Sequence, residues 1–241
     1  MKTIGIIGGL GPESTIDYYR RLLAVHEERR SGDGAPAIII TSLDVKKGLA
    51  LVEANQLGQL TDYLVFEVNR LARAGAECGL LSANTPHIVF DEVSRRSPFP
   101  LVSIVEATCA EAKRLGLKKL GLFGTRFTMQ GRFYPDVFSR EGVGLTPPTA
   151  AEQEYIHDKY VNELIPGKFL PQTREGLMAI AARMRNGDGI QGLILGGTEL
   201  PLILTDSSSL GIPFLDTTQI HVEAILDFAE RPESLTAEPR G

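Results

Sequence analysis

A two-domain α/β protein built on parallel sheets is what this sequence predicts, and three observations predict it. Short apolar runs alternate with longer stretches of helical periodicity along the whole chain, most of the runs are unbroken, and the two halves repeat one another. A strand covered by helices on both faces meets no water on either side, so it reads as a continuous Val/Ile/Leu run. The order strand, helix, strand, helix then gives an α/β fold of doubly wound sheets.

The expected strands are 3–7, 37–42, 78–82, 101–104, 119–123, 192–196 and 213–216, with 143–146 as an eighth. A helix is expected to begin at Ser14, an N-cap residue with Asp17 in the capping-box position, and to carry Ile16, Tyr19, Leu22 and Leu23 on one face. Further helices are expected near 57–74, 105–115, 130–140, 173–187 and 218–229.

The repetition is visible residue by residue. Ile4-Gly5-Ile6-Ile7-Gly8 matches Leu120-Gly121-Leu122-Phe123-Gly124, and Leu80-Leu81-Ser82-Ala83-Asn84-Thr85 matches Ile194-Leu195-Gly196-Gly197-Thr198-Glu199. Pro100-Leu101-Val102-Ser103 and its helix match Pro213-Phe214-Leu215-Asp216 and its helix. A duplicated unit accounts for this order: residues 1–115 with the returning helix 216–230 as one domain, 116–215 as the other, and 231–241 as a loose tail. Ligands of open α/β sheets bind beyond the carboxyl ends of the strands, so the loops at 8–15, 83–88, 124–129 and 197–200 should surround one cleft.

Composition narrows the function. The 241 residues carry a formal charge of −5, which argues against nucleic acid as a partner. No apolar run approaches the roughly 20 residues that span a bilayer, so no membrane partner is expected. Two cysteines, Cys78 and Cys109, make neither a disulfide framework nor a metal motif, and they fit a reducing cytoplasm.

The four loops carry the chemistry. Gly8-Gly9-Leu10-Gly11-Pro12-Glu13-Ser14-Thr15 leaves a strand and opens a helix, a setting in which backbone N–H groups and the helix dipole receive an anion, or which simply needs a tight turn. It matches neither the dinucleotide fingerprint nor the P-loop, which sets nucleotide cofactors aside. Asn84 and Thr85 suit either helix capping or donation to a ligand carboxylate. His87, Glu199, Glu13 and Asp44 are candidate acid–base groups, with Lys46 or Lys47 as a more distant option.

These segments resemble the aspartate/glutamate racemase family. Gly8 to Thr15 is similar to that family's GGMGPxAT opening, Ala83-Asn84-Thr85-Pro86-His87 to its CNTxH motif, and Gly196-Gly197-Thr198-Glu199-Leu200-Pro201 to its GCTELP motif. Gly124-Thr125-Arg126-Phe127-Thr128-Met129 resembles its GTxxTM segment, and Glu163-Leu164, Gly167-Lys168 and Thr173-Arg174 a further stretch. The resemblance implies a cofactor-independent, metal-free isomerase in which two cysteines face each other across the cleft, one removing the α-proton and the other returning one. It also implies a homodimer. Here those two catalytic positions hold Ala83 and Gly197.

The expected ligand is therefore a small amino acid or dicarboxylate, held by Gly9, Gly11, Asn84, Thr85, Thr125, Lys168 and Thr198. What happens to it stays open at this point. The chain reads as a racemase-like isomerase by descent without the two-thiol mechanism, as an inactive ligand-binding relative, or as a lyase or isomerase using other acid–base groups.

Overall fold

The structure, a computed structural model, describes residues 1–205 and 208–231. Eight strands form: β1 (Ile4–Gly8), β2 (Ile38–Ser42), β3 (Cys78–Leu81), β4 (Leu101–Val102), β5 (Lys119–Gly124), β6 (Gly144–Thr146), β7 (Gly192–Gly196) and β8 (Phe214–Asp216). They make two four-stranded parallel sheets, ordered β2-β1-β3-β4 and β6-β5-β7-β8. The identical order is the duplication seen in the sequence, now as topology. The strands end within two residues of their expected limits; Ser103 leaves β4 because its hydroxyl caps the next helix at Glu106 N–H.

The helices are α1 (Pro12–Arg29), α2 (Val45–Glu53), α3 (Leu57–Arg73), α4 (Phe90–Arg96), α5 (Ile104–Arg114), α6 (Arg126–Gln130), α7 (Phe133–Arg140), α8 (Ala150–Lys159), α9 (Pro171–Arg183), α10 (Leu200–Ile203) and α11 (Thr217–Glu230). Several differ from expectation. α1 starts at Pro12 behind a Gly11 N-cap, so Ser14 lies inside its first turn and donates to Ser82 O at 2.8 Å, tying the first loop to the second. Asp17 pairs with Arg21 at 2.8 Å rather than closing a capping box. The stretch 130–140 is two helices, α6 and α7, broken at Gly131 and Arg132. α2, α4, α8 and α10 lie outside the expected helices. α8 runs straight into a π-helical turn at Tyr160–Leu164.

Each sheet is buried on both faces. One face of the first packs Ile7 and Leu81 against Leu64, Val68 and Leu71 of α3. Its other face packs Ile4, Ile6 and Leu80 against Tyr18 and Leu22 of α1 and Val222, Ile225 and Leu226 of α11. On the second sheet, Phe123, Leu193 and Leu195 meet Ile156 of α8 and Leu177 of α9, and Leu120, Leu122 and Ile194 meet α5 and α7. α5, expected with the first unit, therefore buries Ile104, Val105 and Cys109 on the second sheet. α11 does the reverse, and the two repeats exchange their last helices. The expected tail beyond Arg231 lies outside the described residues.

Candidate functional site between the two sheets

The loops after β1, β3, β5 and β7 do meet. Gly9 makes the first one possible: its φ is +77°, and a Cβ there would stand 2.5 Å from Leu43 N. Its N–H is taken internally by Thr15 Oγ1 at 2.9 Å. The loops enclose a cavity of about 30 Å³, room for one or two waters. Both halves line it, with Leu10, Val45, Leu49, Val52 and Ile165 as apolar wall and Ala83, Thr85, Thr125 and Tyr160 around the rest.

Three hydroxyls fasten the halves at this cavity. Thr85 Oγ1 lies 3.0 Å from Thr125 Oγ1 and 3.3 Å from Thr128 Oγ1, and the latter two are 3.2 Å apart. Thr125 also caps α6 by accepting from Thr128 N–H. Asn84, a predicted ligand contact, has its side chain committed to the scaffold: Nδ2 donates to Thr217 Oγ1 at 3.1 Å and Oδ1 accepts from Tyr134 O–H at 2.6 Å. Thr217 in turn donates to Leu195 O, so Asn84 knots the first half to the second.

The two positions expected to carry catalytic thiols are not alike. Ala83 lines the cavity with only a methyl group. Gly197 is covered: a Cβ built there would lie 2.8 Å from both Cζ and the hydroxyl oxygen of Tyr160. That hydroxyl donates to Glu199 Oε2, which also accepts from Thr198 Oγ1 at 3.1 Å. Glu199 is 1% exposed, and its other oxygen faces Gly11 so closely that any side chain at Gly11 would collide with it. The helix N-terminus that the sequence offered to a ligand anion thus already has a carboxyl group of the protein against it. Burial raises the Glu199 carboxyl pKa, with its bonds to Tyr160 and Thr198 opposing the rise. Burial, then the neighbouring Glu199 charge, raises that of Tyr160.

His87 is occupied on both sides of its ring. Nδ1 lies 3.0 Å from Ala83 O, and Nε2 accepts from Ile104 N–H at 3.2 Å, which fixes the proton on Nδ1. Its partner in T-shaped contact, His221, accepts from Tyr18 O–H at Nδ1 and donates to Val102 O from Nε2. Burial lowers His87 to about 3 and His221 to about 4. Neither ring has a nitrogen free for a ligand. An unfolded chain takes up these protons near pH 6.5 while the fold refuses them, so stability falls as pH drops from 6.5 towards 3–4. Urea unfolding at pH 4.5 should show a stability lower than at pH 7 by about 2–5 kcal/mol, shrinking in His221→Gln; equal midpoints at the two pH values would refute this.

Other expected residues stay away from the cavity. Lys168 is exposed beyond the π-helical turn, and the cation paired with Glu163 is Lys159 at 2.7 Å. Lys47 stacks on Tyr63 at 4.2 Å, and Asp44 caps α2 by accepting from Lys46 N–H. Both cysteines lie in the cores, where burial pushes the Cys78 thiol up to about 11. Among the described residues no three His, Cys, Asp or Glu side chains cluster as metal ligands would.

The sequence profile of the Asp/Glu/Hydantoin racemase family matches residues 7–225. The chain belongs to this family. Its fold is similar to a candidate Asp/Glu racemase from Yersinia pestis at TM-score 0.86 and 31% identity, over 96% of this chain and 100% of that one. It is similar to an aspartate racemase homologue from Pyrococcus horikoshii OT3 at TM-score 0.82 and 33% identity, again over 96% and 100%. The broad specificity amino-acid racemase RacX of Bacillus subtilis (strain 168) is 26% identical over 173 residues, 67% of this chain and 69% of RacX. Against that family background, the residue that sequence reasoning missed in this racemase-family chain is Tyr160. The one local signal was the Thr149–Glu152 capping box, which starts the helix delivering it.

Proposed function

We propose that this racemase-family chain binds a small carboxylic acid with an apolar body between its two sheets, and that two-thiol racemisation of aspartate or glutamate is not its reaction. The character of the cavity wall carries this reading. Thr85 and Thr125 offer hydroxyls to one carboxylate, while Leu10, Val45, Leu49, Val52 and Ile165 surround the remainder. A second carboxylate would meet no cation among the described lining residues, and leaving it unpaired in such a wall is costly. The racemase relatives support an amino acid as the ligand. Binding requires the walls at α2 and Ile165 to withdraw, because the closed cavity holds no more than water. The same reading has the protein working without a cofactor in the cytoplasm.

Thermal denaturation with added ligands tests it. Leucine, phenylalanine and alanine of either hand should raise the melting temperature, and aspartate and glutamate should raise it less. A shift by aspartate exceeding that by leucine would overturn the choice of an apolar ligand.

A further inference from the structure

Tyr160 and Glu199 form a buried, hydrogen-bonded pair at the cavity wall. The phenol occupies the space a side chain at residue 197 would take, and it lines the cavity that Ala83 also lines. Behind it, out of the cavity, the Glu199 carboxyl accepts its proton and is itself held by Thr198. The remaining polar groups of the cavity have no such backing. Thr85 and Thr125 are aliphatic hydroxyls bonded to each other and to Thr128. Asn84 is spent on Thr217 and Tyr134, and the Ala83 side chain carries no exchangeable proton.

We infer that Tyr160, backed by Glu199, is a proton-transfer group serving one face of the cavity, and that it exchanges the α-proton of a small carboxylic acid without inverting the carbon. The inference rests on the ligand-binding reading above. With Glu199 ionised, the ligand's α-C–H bond breaks and its electron pair moves into the carboxyl group as an enediolate. The α-proton passes to the Tyr160 oxygen while the Tyr160 hydroxyl proton passes to Glu199 Oε2. The reverse steps restore the C–H bond, and exchange of the pair's protons with water in between brings in solvent hydrogen. No oxidant or co-reactant is consumed. Because the face of Ala83 has nothing to deliver, the proton returns to the side it left. Glu199 acts through Tyr160 and is a positioning residue in this scheme.

The experiment is proton NMR of L- and D-leucine and of L- and D-alanine in heavy water with the full chain, alongside chiral chromatography and thermal shifts by the same amino acids. The wild type should erase the α-proton signal of one enantiomer while its configuration is kept, at a rate rising with pH as Glu199 loses its proton. Tyr160→Phe, which keeps the ring, should slow exchange by about 10²-fold or more while its thermal shift with the amino acid persists. Glu199→Gln should slow exchange and flatten the pH profile, and it serves as the second variant if Tyr160→Phe is poorly folded. Exchange at the wild-type rate in Tyr160→Phe overturns the inference. So does a wild type that is stabilised by an amino acid but never exchanges its α-proton, and the binding reading then survives. Exchange with inversion overturns the one-face assignment. Absence of any thermal shift overturns the binding reading and this inference with it.

Discussion

A variant given thiols at both positions where the resemblance leads one to expect cysteine, Ala83→Cys with Gly197→Cys, is expected to remain unable to invert an amino acid, and to be less stable than the parent. Ala83 can accept the change, since its methyl already faces the cavity. Gly197 cannot, because its new Cβ would lie 2.8 Å from the ring carbon and the oxygen of Tyr160, nearer than side-chain atoms approach. The ring is buried and its hydroxyl is bonded to Glu199, so making room means breaking that bond. Forcing extra atoms into such packing costs roughly 1–3 kcal/mol. Adding Tyr160→Ala should relieve the overlap but lower stability further, by about 2–5 kcal/mol for the lost core ring, and only in this triple variant would two thiols share the cavity. Melting temperatures and chiral chromatography of the three proteins check the order. A double variant as stable as wild type would mean that Tyr160 does not hold the space beside Gly197.

Asn84→Ala is expected to be among the most damaging single changes. Its amide is the link between Tyr134 and Thr217, and removing it takes the acceptor of the 2.6 Å bond away from a tyrosine hydroxyl at 0% exposure, leaving only Thr108 beside it. Thr217 keeps its bond to Leu195 O, so Tyr134 bears most of the loss. An unsatisfied buried donor together with the space left behind should cost about 2–4 kcal/mol. Tyr134→Phe, which deletes the stranded hydroxyl, should make the Asn84→Ala change milder when the two are combined. Urea unfolding of the single and double variants measures this. An Asn84→Ala protein within about 0.5 kcal/mol of wild type would argue that the amide serves a ligand rather than the scaffold.

Much of the fold was legible because the strands are buried on both faces. Ile4 to Ile7 and Leu193 to Leu195 have no polar alternation to confuse the reading. The loops were legible as well, since Gly9, Thr85, Thr125 and Glu199 stand directly after strands and must gather where the strands end. Tyr160 was not. It sits on an extension of α8, a helix whose only buried residue is Ile156, so periodicity gave that segment no inward face. Its role depends on proximity to Gly197, far along the chain. For Asn84 and His87 the residue types suggested chemistry, but the partners that consume their hydrogen bonds come from α7, α11 and the start of α5. Nor could α5's side of its exchange with α11 be read. An apolar stripe says that a face is covered, not which sheet covers it.

That exchange has a consequence for how the protein is made. As the chain leaves the ribosome, β1 to β4 emerge early, yet the face of their sheet carrying Ile4, Ile6 and Leu80 is covered only in part, by Tyr18 and Leu22 of α1, until Val222, Ile225 and Leu226 follow. The second sheet, by contrast, finds α5 already waiting when β5 appears. Synthesis proceeds from the amino terminus, so the core of the first sheet waits on a helix that follows the whole second sheet. Until α11 arrives, the part of that face which α1 leaves uncovered is an apolar surface on the growing chain.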